Sequence, residues 1–175
     1  GDLGRIDAER YCWLTGRAKE LIVRGGHNIE PKLIEEPMHG HPAVALAAAV
    51  GRPDAHAGEV PAVYVQLRPG ATATPAELQD WAQAHIVERA AWPKEVKILP
   101  TLPTTPVGKI FKPALTDMEI ESVVQDEARS AGISLRSCSV LRDPQRGIVV
   151  RWAADQDDGA LAQRLGRFTF QTERV

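Results

Sequence analysis

Two apolar runs held apart by a turn constrain this chain more than any other feature. Residues 43–50 and 60–67 carry no charged side chain, have the length of strands, and fall far short of the roughly 20 residues a helix needs to cross a bilayer. Gly51-Arg52-Pro53-Asp54 and Gly58 supply turn chemistry between them. Downstream, Thr74 reads as a helix N-cap, with Pro75 at the first helical position and Glu77 as the reciprocal half of a capping box. Leu78, Trp81, Ala82, His85 and Ile86 then fall on one apolar stripe. Strands and helices therefore share one chain, and the expected class is α+β.

The flanking segments extend this pattern. Residues 5–7, 11–14 and 20–23 read as short strands, with Ala8-Glu9-Arg10 and Gly16 at the turns. Beyond the Gly25-Gly26 break, Pro31 opens a short helix carrying Leu33, Ile34, Pro37 and Met38 and ending near Gly40. Residues 96–99 predict another strand, residues 100–106 a proline-rich loop, and a further helix begins around Pro113. From Thr116 the pattern changes character. Residues 117–131 predict a helix with Ile120, Val123, Val124 and Ala128 inward, closed by Gly132. A hairpin of residues 134–141 and 147–153 about Asp143-Pro144-Gln145-Arg146, a helix from Asp158 to Leu165 and a strand over 167–172 complete a second small α+β unit.

Composition narrows the functions open to such a chain. Its 175 residues suit one domain plus a small appendage, and 43% hydrophobic with 25% charged residues is enough to build a core. A net charge of −2, from 21 Lys+Arg against 23 Asp+Glu, leaves no basic field for a phosphate backbone. No nucleic-acid partner and no membrane span are expected. Cys12 and Cys138 fit neither a zinc site nor a disulfide framework, so no metal ligand set is assigned. No signal-peptide pattern opens the sequence, and a reducing, cytoplasmic setting is the expectation.

Three segments carry residues suited to chemistry. Asp2, among small residues, can accept hydrogen bonds from vicinal hydroxyls or stand as an ordinary turn aspartate; Arg17, after Gly16, can fork onto oxygen acceptors or remain a surface arginine. In Arg24-Gly25-Gly26-His27 the paired glycines permit positive φ and a close backbone approach to a ligand, and serve equally to turn the chain. His27 can bind a phosphate or satisfy a neighbouring carbonyl. In Leu102-Pro103-Thr104-Thr105-Pro106-Val107-Gly108-Lys109-Ile110-Phe111-Lys112, prolines stiffen a loop that presents Lys109 as a point charge, and the Gly-x-x-x-x-Gly-Lys-Ser/Thr phosphate loop is absent. A solvated loop lysine is the plain alternative.

In this order and at these separations, the three segments resemble the C-terminal portion of the adenylate-forming superfamily, which includes acyl-CoA synthetases, luciferases and peptide-synthetase adenylation domains. "GRAKELIVRGGHNIEP" and "LPTTPVGKIFK" are most similar to bacterial fatty-acyl-CoA ligases. The resemblance implies a small mixed sheet flanked by helices. It assigns residues 1–18 to the end of a large N-terminal domain and a hinge hairpin, 19–115 to the C-terminal domain, and 116–175 to an additional tail without a role. It implies that Asp2 and Arg17 serve the nucleotide, Lys19 is the hinge, Arg24, Gly25, Gly26 and His27 line the pantetheine channel, and Lys109 acts in adenylation.

The implied activity is that of an AMP-forming acid–thiol ligase using a carboxylic, fatty-type acid, ATP and CoA. Mg2+ is expected with ATP, bound mainly by the N-terminal domain. That domain is not in this sequence, so the chain is expected to be a fragment, inactive alone. Two other readings stand beside it: a free-standing CoA- or adenylate-binding regulatory module, and a purely structural α+β domain.

Overall fold

The computed structural model describes residues 1–156 and 159–175. Strands β1 (Asp2–Ile6) and β2 (Cys12–Arg17) form an antiparallel hairpin, and a 3-10 turn, Ala18–Glu20, leads out of it. Then come β3 (Ile22–Arg24), β4 (His27–Ile29), α1 (Lys32–His39), β5 (Val44–Asp54), β6 (Gly58–Leu67), α2 (Pro75–His85) and β7 (Glu95–Ile98). These five strands make one mixed sheet in the order β4-β3-β6-β5, with β7 parallel to β6 and every other pairing antiparallel.

The sheet explains why the two apolar runs are continuous rather than alternating. Ala47 and Ala49 of β5 and Val63 and Val65 of β6 face a core shared with Ile34 and Met38 of α1 and Leu78 and Ala82 of α2. Their intervening neighbours Ala48, Val50 and Tyr64 face a second core with Leu102 and Leu115. A strand buried on both faces needs apolar residues at every position. The capping box at Thr74 and Glu77 is formed as expected.

Helix α3 (Lys112–Ser130) is continuous, joining the helix expected near Pro113 to the one expected over 117–131. Pro113 lies in its first turn, where a missing N–H costs nothing, and no later glycine or proline interrupts it. Along α3, Leu115 packs under the central sheet, whereas Ile120, Val124 and Ala128 belong to a third core. That core is closed by β8 (Leu135–Asp143), β9 (Gly147–Ala154), α4 (Ala160–Leu165) and β10 (Gln171–Arg174), with strand order β10-β9-β8. The Asp143 carboxylate caps the β8–β9 turn by accepting from the Gln145 and Arg146 N–H groups.

Other boundaries moved for physical reasons. Glu20 belongs to the 3-10 turn, so the strand expected over 20–23 begins at Ile22. β4 was not expected, because its three residues pair with β3 through the Gly25-Gly26 turn and carry no periodicity of their own. The last strand begins at Gln171 rather than 167, since Phe168 and Phe170 are stacked on each other and packed into the third core. The described part of the last helix starts at Ala160, and the expected start at Asp158 lies outside the described residues.

Candidate functional site

A cleft of about 1000 Å³ opens between the β1–β2 hairpin, the central sheet and the start of α3. Asp2, Arg17, Lys19 and Lys109 all line it. The hairpin register sets Asp2 opposite Arg17, whose Nε lies 3.5 Å from Asp2 Oδ1, while Arg17 Nη1 lies 3.6 Å from Glu20. Both Asp2 and Arg17 remain largely exposed, so water screens the pair and it is free to exchange for another partner. Lys19 is the central residue of the 3-10 turn between β2 and β3.

Lys109 is carried on a closed turn. Thr105 donates its N–H to the Lys109 carbonyl at 2.7 Å, Gly108 donates to the Thr105 carbonyl at 2.8 Å, and Phe111 donates to the Pro103 carbonyl at 2.8 Å. Gly108 sits at φ +78°, a conformation that favours glycine. Leu102 and Ile110 anchor the turn in the second core. Local hydrogen bonds therefore fix the backbone at Lys109, and among the described residues its ammonium forms no ion pair.

Arg24, Gly25, Gly26 and His27 do not line this cleft; they form a separate two-residue hairpin between β3 and β4. Gly25 at φ +58° and Gly26 at φ +83° have the paired positive φ that a tight hairpin of this twist requires. A Cβ at either would meet nothing within 4 Å, so the demand for glycine comes from the backbone alone. The hairpin is braced on both sides. Gly25 donates its N–H to the Ala57 carbonyl at 2.7 Å, Arg24 Nη1 donates to the Ala90 carbonyl at 2.7 Å, and His27 Nε2 pairs with the Glu88 carboxylate. His27 thus meets a carboxylate, neither of the partners foreseen for it. Val23 donates its N–H to Glu59 Oε2 at 2.9 Å, and burial raises the pKa of that Glu59 carboxyl above the usual carboxylate range.

Several cleft residues escaped the sequence, among them Glu20, Glu35, Glu59 and Lys112. Lys112 stood in a segment already singled out, but nothing local marked its partners, which come from the 3-10 turn and from α1. Among the described residues no group of three or more His, Cys, Asp or Glu side chains could hold a metal ion. No described helix is long and apolar enough to cross a membrane.

Asp2, Arg17, Lys19 and Lys109 thus line one cleft, and the Gly25-Gly26 hairpin lies apart from it at the edge of the five-stranded sheet. Residues 33–109 match the family described as AMP-binding enzyme C-terminal domain, and the chain belongs to that family. It is 43% identical over 179 residues to the marinolic acid–CoA ligase of Pseudoalteromonas sp. (strain SANK 73390), covering 98% of this chain and 27% of that protein. It is 34% identical to the long-chain-fatty-acid–CoA ligase of Bacillus subtilis (strain 168), covering 70% of this chain and 22% of that one. ATP-bound MatB from Rhodopseudomonas palustris superposes with a TM-score of 0.61 at 34% identity, covering 66% of this chain and 23% of MatB. The chain thus spans about a quarter of the length of the curated relatives it matches. The Pseudoalteromonas match, at 98% of this chain, takes in nearly all of residues 116–175.

Proposed function

We propose that this chain is the mobile C-terminal part of an AMP-forming acyl-CoA synthetase, an acid–thiol ligase. In the first half-reaction a carboxylate oxygen attacks the α-phosphate of ATP and pyrophosphate leaves. Negative charge builds on the oxygens around that phosphorus, and the Lys109 ammonium stabilises it, while Asp2 accepts from the ribose hydroxyls and Arg17 exchanges its carboxylate partners for the nucleotide. In the second, the CoA thiol attacks the acyl carbonyl and AMP leaves. The Gly25-Gly26 hairpin, flanked by Arg24 and His27, then lies along the pantetheine arm, where the absence of side chains keeps the channel open. The two surfaces serve one reaction centre in turn by rotation about Lys19.

The observation that carries this reading is the gathering of Asp2, Arg17, Lys19 and Lys109 around one cleft, with the glycine hairpin apart from it. The proposed division is 1–18 as the end of the preceding domain and hinge hairpin, 19–115 as the C-terminal domain and 116–175 as the tail. α3 is shared by the last two. The acid is of the fatty type named for the Bacillus relative. A cytoplasmic setting accords with two free cysteines. In the intact enzyme, Lys109→Ala lowers ATP–pyrophosphate exchange by on the order of 100- to 1000-fold, the usual loss for one preorganised donor. Thioester formation from supplied acyl adenylate survives; equal loss in both half-reactions overturns the assignment.

A further inference from the structure

We propose that Lys112 is a positioning residue that ties the Lys109 turn to the pivot. The proposal rests on the acyl-CoA synthetase reading above. Lys112 is the first residue of α3, where the helix dipole disfavours a positive charge and an acidic residue is the usual choice. Its side chain is nevertheless drawn inward, only 17% exposed, with Nζ 3.1 Å from Glu20 Oε2 and 2.9 Å from Glu35 Oε1. A locally unfavourable charge held by two carboxylates from distant elements has a tertiary purpose.

Each partner connects Lys112 to a different part of the machinery. Glu35, on α1, also accepts the Ala49 N–H of β5 at 2.8 Å through the same Oε1, so this end is fixed to the central sheet. Glu20 closes the 3-10 turn centred on Lys19, and its other oxygen lies 3.6 Å from Arg17 on the far side of that pivot. Lys112 itself follows directly on the Lys109 turn, whose backbone is closed by the Thr104–Ile110 bridge and by the Phe111-to-Pro103 bond. One ammonium therefore holds together the rigid sheet, the turn containing the pivot and the base of the lysine-bearing turn. Without it, Glu20 and Glu35 face each other as like charges, and the pivot turn moves away from the turn that carries Lys109.

In the intact enzyme, Lys112→Met lowers kcat for ATP–pyrophosphate exchange by about a hundredfold, the size expected when a reacting group is misplaced by about 1 Å. The KM for ATP and thioester formation from supplied acyl adenylate are kept, and Lys112→Arg restores most of the exchange rate. Glu20→Gln, which removes only the pivot-side charge, gives the same pattern at smaller size and covers the case in which Lys112→Met does not fold. In this chain itself, Lys112→Met shifts the amide NMR resonances of Lys19, Gly108 and Lys109. Equal loss in both half-reactions, no rescue by arginine, or unmoved resonances at these residues overturns the proposal. If Lys109→Ala leaves exchange intact, it is the synthetase reading that fails; if Lys109→Ala abolishes exchange and Lys112→Met does not lower it, only the positioning role fails.

Discussion

Arg52 and Glu119 meet at 2.7 Å across the joint between the central sheet and α3, with the glutamate side chain fully buried. Lys97 lies 2.9 Å from the other carboxylate oxygen, and Arg52 also reaches Asp126 at 2.8 Å and donates to the Ser122 hydroxyl. Glu119, Ser122 and Asp126 recur at helical spacing on the α3 face turned to β5 and β7, beside the apolar face that serves the tail core. The pKa of Tyr64, under the same joint, is raised by burial first and then by Glu119.

Removing the central charge of this joint leaves Arg52 and Lys97, both mostly withdrawn from water, with only the half-exposed Asp126 and Glu95 as carboxylate partners. Glu119→Leu in this chain lowers unfolding free energy by about 3 kcal/mol, and Glu119→Gln, which keeps one acceptor oxygen for these donors, costs less. Urea titration followed by circular dichroism measures both. An unchanged midpoint for the leucine variant refutes the view that this pair secures α3 to the sheet.

Acid acts on the turn that supports the glycine hairpin. The Asp54 carboxylate accepts the Ala57 and His56 N–H groups, which lower its pKa to about 2, with Lys94 3.4 Å away as a further contributor. Its folded value lies below the unfolded one of about 3.9, so the stabilisation is present above that pH and is lost as pH falls toward 2. Asp54→Asn therefore costs about 1–2 kcal/mol near neutrality, and the difference from the parent chain shrinks between about pH 5 and pH 2. A difference that stays constant across that range contradicts the assignment.

Lys19 is tested by contrasting two substitutions in the intact enzyme. Proline fixes φ near −65° and is tolerated by the free N–H groups at the start of a helical turn, so Lys19→Pro leaves both surfaces folded but traps one orientation. One half-reaction survives and the other falls by on the order of a hundredfold, as when a gating motion is blocked. Lys19→Ala is mild in both. Comparable activity of the proline variant in the two steps removes Lys19 from the pivot.

On the proposed reading the chain by itself catalyses neither half-reaction, because it spans only about a quarter of the length of the ligases it matches. ATP–pyrophosphate exchange measured with the purified chain stays at the no-protein background. Exchange clearly above that background shows a self-sufficient site and refutes the division of labour proposed above.

Local rules carried much of the fold. The Thr74–Glu77 capping box and the turn at Asp143 close within four residues, and no tertiary contact is needed to complete them. The uncharged runs in β5 and β6 announced strands, and the order of the Asp2, diglycine and lysine segments announced the family. Only the tertiary structure decided that Lys112 would meet Glu20 and Glu35, or that Glu119 would be the most buried charge among the described residues. On a helix written out as sequence, a glutamate beside Ile120 and Val123 reads as a solvent-facing residue, because its position carries no mark of the arginine approaching from β5. Periodicity and capping act over one or two turns of chain, whereas an ion pair between elements depends on strand register and on the angle at which a helix crosses the sheet. Those are set by packing of the whole core, and the charges at the cleft and at the α3 joint acquire their partners only when that packing is complete.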